Sequence, residues 1–404
     1  MSWLSRLICA FALCLGTANV AQAEPLELFV DADYSINHSA AGAIELGFRT
    51  ALAEVGHRVG GHDLVLVPMD HRGNVKRSKR NLQQYLKSGT ALAIVGGLHS
   101  PPYLSHREFI NDNRILTLLP WSAAGPITRA QPGSENWIFR LSVDDFQSGG
   151  FLVREAVDRQ GCENVALVLL DTGWGRANFG TLTAALAERG MEPTQTEYFS
   201  SAIGSASALS LAETIARSKP DCAIMLANWD NGAQVINALY ERLPSLRLFS
   251  HWGIMGGRFT EVVPRETRDS MQIRVLQTCI LRREHEGSPI LKAALAAGAP
   301  DVASVAEIGA PTGFVHGYDL ARVLLAAVEQ ASKTDAWSGD ILAKRAAVHA
   351  ALENLETPVE GILDRYAPPF SPYSELAPNA HEALGFDDLC MARFRPDGFL
   401  EHAE

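Results

Sequence analysis

The sequence predicts an α/β protein made of two doubly wound parallel-sheet lobes. Three observations carry that prediction. Short apolar runs alternate with stretches of helical period, and the alternation restarts near residue 164. The chain has 404 residues, 47% hydrophobic and 20% charged, enough for two ordinary cores. Strand–helix–strand alternation demands parallel strands covered by helices on both faces, and right-handed crossovers leave few topologies.

The first block opens with "LELFV" (26–30), a strand. A helix follows, with Ile44, Phe48, Leu52 and Val55 on one face. "DLVLVPM", "ALAIVGG" and "RILTLLP" supply the second, third and fourth strands. The second block repeats the rhythm. "NVALVLL" is a strand, and the next helix carries Phe179, Leu182 and Leu186. Strands "QTEYF", "CAIMLA" and "LRLFS" follow, with helices around Leu211–Ile215 and Val235–Leu239 between them. The alanine-rich stretch 318–354 predicts one long helix packing back on the first lobe, with the chain after 360 returning to the second. Lobe 1 then comprises 24–142 plus about 280–360, and lobe 2 comprises 143–279 plus about 361–404.

Met1–Ala23 has the pattern of a cleaved secretory signal: Arg6, a short apolar core, then Ala21-Gln22-Ala23 before Glu24. The apolar run is too short for a durable membrane span. Export to the periplasm changes how cysteine is read. Beyond the signal lie Cys162, Cys222, Cys279 and Cys390, an even set in an oxidising compartment. Three pairings are open. Cys162 with Cys222 is favoured, since each immediately precedes or opens a strand and those strands should be neighbours. Cys279 with Cys390 then follows.

In an open parallel sheet, ligands bind outside the carboxyl ends of the strands. That rule nominates "DADYS", "GGLHSPPY", "PWSAAGPIT", "DTGWG", "ANWDNG" and "HWGIMGG". Four of the seven tryptophans, Trp121, Trp174, Trp229 and Trp252, fall in these loops, which points to an aromatic-lined cleft.

Five pieces in order carry a resemblance: "IVGGLHSPPY", "ILTLLPWSAAGPITR", "WIFRLSVDDFQSGG", "VALVLLDTGWGRANFGTLTAALAERG" and "CAIMLANWDNGAQVINAL". Together they resemble the leucine/isoleucine/valine-type periplasmic solute-binding proteins of ABC importers, over roughly residues 25–280. The resemblance implies the type I periplasmic binding protein fold, with two lobes joined by a hinge of three crossings and closing on a small ligand. It also implies a membrane permease as partner and a monomer. By that resemblance Ser100 holds the ligand carboxylate; a helix N-cap before Pro101 and Pro102 is the other reading of Ser100. Ser122 and Ala123 match the next ligand contacts, with Trp121 just ahead. Trp174 matches the aromatic residue that covers the ligand.

By the same resemblance, the acidic residue that pairs with an amino acid's ammonium falls at Trp252. An indole cannot form that ion pair, although its face attracts a cation. An aromatic or apolar carboxylate, or a cation, therefore fits better than a plain branched-chain amino acid. Asn228 and Asp230 complete the second wall; Asp230 supplies charge for a cation or caps the helix that follows.

Other signals point away from chemistry. The net charge of −11 disfavours nucleic acid, and the six basic residues of "HRGNVKRSKRNLQQYLK" read as a solvated helix face. His71, His99 and His251 are scattered singly, without metal-ligand spacing. No GxSxG elbow or phosphate loop is present, so neither an enzyme nor a cofactor is predicted. A hydrolytic enzyme is the least favoured alternative. A receptor reporting ligand to a kinase or regulator is the nearer one.

Overall fold

The computed structural model describes residues 23–129, 135–282 and 287–403. The signal segment, except Ala23, lies outside them. Among the described residues no helix is long and apolar enough to cross a membrane.

Two sheets organise the chain. The first contains β1 (Leu26–Ala32), β2 (Arg58–Val59), β3 (His62–Asp70), β4 (Ala91–Gly96), β5 (Thr117–Leu119) and β6 (Ile138–Arg140), in the order β2-β3-β1-β4-β5-β6. All its pairs are parallel except β2 with β3. The second contains β7 (Val165–Leu170), β8 (Gln195–Phe199), β9 (Cys222–Leu226), β10 (Arg247–Ser250) and β11 (Arg274–Thr278), all parallel. A small hairpin, β12 (Val359–Glu360) and β13 (Arg365–Tyr366), precedes β14 (Leu389–Phe394) and β15 (Leu400–His402). The last two strands extend the second sheet antiparallel at the β11 edge. Every residue of β4, β7 and β9 is buried, as their unbroken apolar runs require of strands covered on both faces.

Helix α1 (His38–Glu54) buries Ile44, Phe48 and Leu52. Val55 does not join that face: the helix stops before it, Gly56 at φ +61° turns the chain, and Val55 is left exposed. The basic stretch forms α2 (Val75–Lys87), whose Asn74 cap accepts from Arg77 N and whose inner face is Ser78, Leu82 and Tyr85. Helix α3 (Ser100–Asp112) follows β4. In the second lobe, α4 (Asp145–Val153), α5 (Gly173–Ala187), α6 (Ser205–Arg217) and α7 (Trp229–Arg242) flank the sheet, with two short helices, α8 (Phe259–Val262) and α9 (Arg265–Ser270), after β10.

The third part of the chain departs from expectation. The stretch 318–354 is two helices rather than one. After α10 (Pro289–Gly298), α11 (Pro311–Ala331) ends and α12 (Ile341–Glu353) begins ten residues later. The "SKTDAWSGD" between them is turn-rich. There the Trp337 indole donates to Gly60 O at 2.7 Å, and Asp340 caps α12 by accepting from Ala343 N. Both helices pack on the first lobe. A Cβ on Gly47 would lie 2.2 Å from Phe314 O and one on Gly317 2.6 Å from Ile44 O, so α1 and α11 meet backbone to backbone. Arg345 of α12 stacks on Tyr85 at 3.8 Å and donates to Ala91 O and Tyr85 O.

The chain does not leave the first lobe at 361. Asp319 of α11 accepts from Ile362 N, Leu363 N and the Tyr366 hydroxyl. Further on, His381 O and Ala383 N bond Arg140 of β6, and Glu382 pairs with the same buried guanidinium. Only from β14 does the chain belong to the second sheet. Disulfides Cys162–Cys222 and Cys279–Cys390 tie that lobe: the first joins the approach to β7 with β9, the second the exit of β11 with β14.

Candidate functional site

The two sheets point the carboxyl ends of β1, β4 and β5 at those of β7, β9 and β10, at the positions where strand order reverses. A cavity of about 360 Å³ lies between them. From the first lobe, Ile36, Leu98, Ser100, Trp121 and Ala123 line it; from the second, Leu170, Trp174, Asn228, Asp230, His251 and Trp252 do so.

Seven of the eight residues singled out by sequence therefore meet at one cavity: Ser100, Trp121, Ala123, Trp174, Asn228, Asp230 and Trp252. Ser122 does not. Its hydroxyl turns inward and donates to Gly97 O at 2.7 Å and His99 O at 3.0 Å, tying the β5 loop to the β4 loop. The fourth loop tryptophan, Trp229, stands at the mouth instead, its indole donating to Ile36 O across the cleft. Ala40 N also donates to Gly256 O at 3.1 Å, so the lobes touch directly and the cleft is closed.

Two capping expectations are corrected. Ser100 is the first residue inside α3, with His99 at the cap position. Its Oγ accepts from Ala124 N at 3.2 Å, which leaves the hydroxyl proton to give. Asp230 does not cap α7 either: Asn228 holds that position, and its N–H donates to Asn231 Oδ1 at 3.1 Å. Asp230 lies in the first turn, where its charge complements the helix N-terminus.

Polar groups that sequence reasoning passed over complete the walls. Asp33, just beyond β1, accepts from Ile36 N, Asn37 Nδ2 and Ser35 N, and its Oδ2 lies 3.1 Å from His99 Nε2. Burial alone would raise its carboxyl, but the hydrogen bonds from His99, Ile36 and Asn37 outweigh it and hold Asp33 well below the usual carboxylate range. His251 Nε2 lies 2.9 Å from Asp145 Oδ1, both side chains almost wholly buried. Asp145 is far from His251 in sequence, so spacing gave no sign of the pair; the loop "HWGIMGG" was the only pointer. Below Trp121, His316 bonds Pro120 O through Nδ1 and Thr278 Oγ1 through Nε2. A carbonyl can only accept, so Nδ1 carries the proton, and burial drives this imidazole down to about 4.

Among the described residues, Cys162, Asp221 and Cys222 have the spacing of a metal site, but their sulfurs are bonded to each other and offer no thiolate. The cleft itself presents indoles, imidazoles, hydroxyls, amides, the carboxylates of Asp33 and Asp230 and the guanidinium of Arg72: surfaces for enclosing a small organic molecule.

No curated protein sequence matches the chain. Its fold is shared with a periplasmic binding protein type 1 from Bordetella pertussis Tohama I, at TM-score 0.75 and 14% identity, over 94% of this chain and 100% of that one. A leucine-binding protein from Thermotoga maritima MSB8 superposes at TM-score 0.72 and 15% identity, over 94% and 98%. A solute-binding protein of an ABC transporter from Rhodopseudomonas palustris HaA2, in complex with p-hydroxybenzoic acid, does so at 0.74 and 15%, over 94% and 96%. Residues 34–242 match the family model described as periplasmic binding protein, just over half of the sequence. The two-lobed architecture, the interlobe cavity and that match together make the chain a member of the periplasmic binding protein family, with the type I fold.

Proposed function

We propose that this protein is the exported solute receptor of an ABC importer, closing its lobes on a small aromatic or apolar carboxylate for delivery to a membrane permease. One observation carries the reading. The cavity is lined by three indoles, Trp121, Trp174 and Trp252, and by Ser100, whose hydroxyl has a proton to donate; by the family resemblance, Trp252 stands where an ammonium-reading carboxylate would. Apolar walls with a few placed polar groups suit an organic acid of modest size. The Rhodopseudomonas palustris protein of the same fold holds p-hydroxybenzoic acid, which supports this ligand class for the architecture.

The reading includes removal of Met1–Ala23 on export and a monomeric receptor. It also includes hinge crossings near 142, near 280 and between 384 and 389. It involves closure without turnover: contacts made across the cleft favour the closed form. Asp230 in the cavity wall favours a second reading, a cationic ligand over the indole faces.

The test is a thermal-shift screen of the purified protein against aromatic acids, aliphatic amino acids, amines and quaternary ammonium compounds. A ligand at 100 times its Kd adds about 2.7 kcal/mol of stability. Aromatic acids should give the largest shifts. Stabilisation by quaternary ammonium compounds alone moves the assignment to Asp230, and stabilisation by leucine or valine overturns it.

A further inference from the structure

His251 combines deep burial with a nitrogen that nothing engages. The ring is 1% exposed, and it stands edge-on to two indoles, 5.4 Å from Trp174 and 4.5 Å from Trp252 between centroids. Nε2 lies 2.9 Å from Asp145 Oδ1, although the ring N–H is not aligned on the oxygen. Asp145 is itself fixed: its Oδ2 accepts from Asn178 Nδ2 at 2.8 Å, and its N–H donates to Ala123 O at 2.8 Å. Two lone pairs repel at that separation, so a ring proton sits on Nε2, beside the carboxyl oxygen. In the neutral ring Nδ1 then presents a lone pair, and it has no partner among the described residues. A buried acceptor without a donor is costly, and a ligand that supplies the donor removes that cost.

The facing wall offers donors beside the acceptors of Asp33 and Asn37. Trp121 Nε1 is buried, unpartnered and able only to donate, and the Ser100 hydroxyl also has its proton to give. A ligand complementary to both walls carries an acceptor at one end and an O–H at the other. We infer that His251 Nδ1 accepts a hydrogen bond from a ring hydroxyl, so that the receptor selects hydroxylated aromatic acids over unsubstituted or O-methylated ones. This inference rests on the aromatic-acid reading above. His251 would thereby be the specificity-determining residue on the second lobe, with Asp145 positioning its proton.

The experiment is calorimetry with benzoate, 3- and 4-hydroxybenzoate, and 3- and 4-methoxybenzoate. A hydroxybenzoate should bind at least about tenfold tighter than benzoate and than its own methyl ether, since a site built around a ligand hydroxyl discriminates against its absence. In His251→Phe the preference should shrink to within about threefold, because the polar contact is lost. Equal affinities across the wild-type series overturn the role of His251 and leave the aromatic-acid reading standing. A hydroxyl preference that survives intact in a folded His251→Phe protein also overturns it. Failure of every aromatic acid to bind overturns the underlying reading and this inference with it. If His251→Phe does not fold, Asp145→Asn serves in its place: releasing the tautomer should reduce the wild-type preference, and an unchanged preference counts against the inference.

Discussion

Trp229 donates its indole N–H to the carbonyl of Ile36 at 3.0 Å, joining the first turn of α7 to the loop after β1 across the mouth of the cleft. The bond exists only while the lobes are together, so it belongs to the closed state and not to either lobe alone. Trp229→Phe keeps the aromatic bulk and removes the donor. A neutral hydrogen bond contributes about 0.5–1.5 kcal/mol, so ligand affinity should fall roughly two- to tenfold. The melting temperature of the ligand-free protein should barely move if it rests open. Calorimetry with any identified ligand reads the first quantity; no change in affinity would mean that the contact does not favour closure.

Gly256 takes part in the second cross-cleft contact, and its lack of a side chain matters. Its φ of −70° is open to any residue, so conformation is not the reason. A Cβ there would lie 2.4 Å from Asn37 Oδ1 and 3.2 Å from a Leu98 methyl. Gly256→Val should therefore wedge the lobes apart, leaving the fold intact and weakening ligand binding by at least about tenfold, the scale of a 1.4 kcal/mol loss. Small-angle scattering should show no compaction on adding ligand. Normal compaction with normal affinity would exclude close approach at this point.

Two buried groups on α11 make opposite demands on pH. His316 is held neutral, down to about 4 from its ordinary 6.5, because burial disfavours the imidazolium. Its folded value lies below its unfolded one, so its contribution is complete above pH 6.5 and is lost as pH falls toward 4. Asp319 is pushed up to about 6 from 3.8, again by burial, which outweighs its three hydrogen bonds. It favours the fold below pH 3.8, and that contribution is lost as pH rises through 6. Each shift corresponds to about 3 kcal/mol at 1.36 kcal/mol per unit, so the two largely offset one another between pH 4 and 6.5. His316→Gln should unmask Asp319, making stability rise on acidification relative to wild type. Asp319→Asn should do the reverse and destabilise at neutral pH as well, since its amide would face donors. Urea denaturation at pH 7 and pH 5 checks both signs; parallel pH profiles for all three proteins would show that neither group titrates as described.

The disulfides give a test of lobe integrity independent of ligand. Cys162–Cys222 closes a loop of sequence separation 60, and Cys279–Cys390 one of 111. Loop-closure entropy assigns such crosslinks about 4–5 kcal/mol, with engineered removals usually nearer 2–4. Replacing Cys279 and Cys390 by Ala should lower the denaturation midpoint while leaving ligand ranking unchanged, because neither cysteine lines the cavity. A changed ranking would mean that this bond also shapes the cleft.

The lobes were legible in the sequence because buried parallel strands are written as unbroken apolar runs, such as "ALAIVGG" and "NVALVLL", each followed by a helical period. The strand-end loops followed from topology alone, and Trp121, Trp174 and Trp252 from their position in those loops. What did not follow was direction and partnership. Ser122 and Ala123 are adjacent, yet one hydroxyl bonds the neighbouring loop while the other residue faces the cavity. Asp33 and Asp145 meet their histidines only after the chain has folded through several crossovers. The break at 332–340 was passed over because alanine-rich sequence on both sides carries the same helical period; the turn-forming residues of "SKTDAWSGD" marked it, and Asp340 and the anchoring of Trp337 on Gly60 fix it.

Trp174 is where packing and recognition can be separated. Its ring is 8% exposed, lines the cavity, stands edge-on to His251 and lies 3.3 Å from the position a Cβ on Gly253 would take. Trp174→Ala removes the indole and should weaken ligand binding by about 1–3 kcal/mol, the range for a buried aromatic contact. It should also lower stability, because His251 and Gly253 lose their neighbour. Trp174→Phe retains a ring and should recover most of the stability but only part of the affinity, since the smaller ring covers less of an aromatic ligand. Calorimetry and denaturation on the same two variants resolve the roles. If affinity returns fully with Phe, the indole serves packing alone and the ligand lies against Trp121 and Trp252.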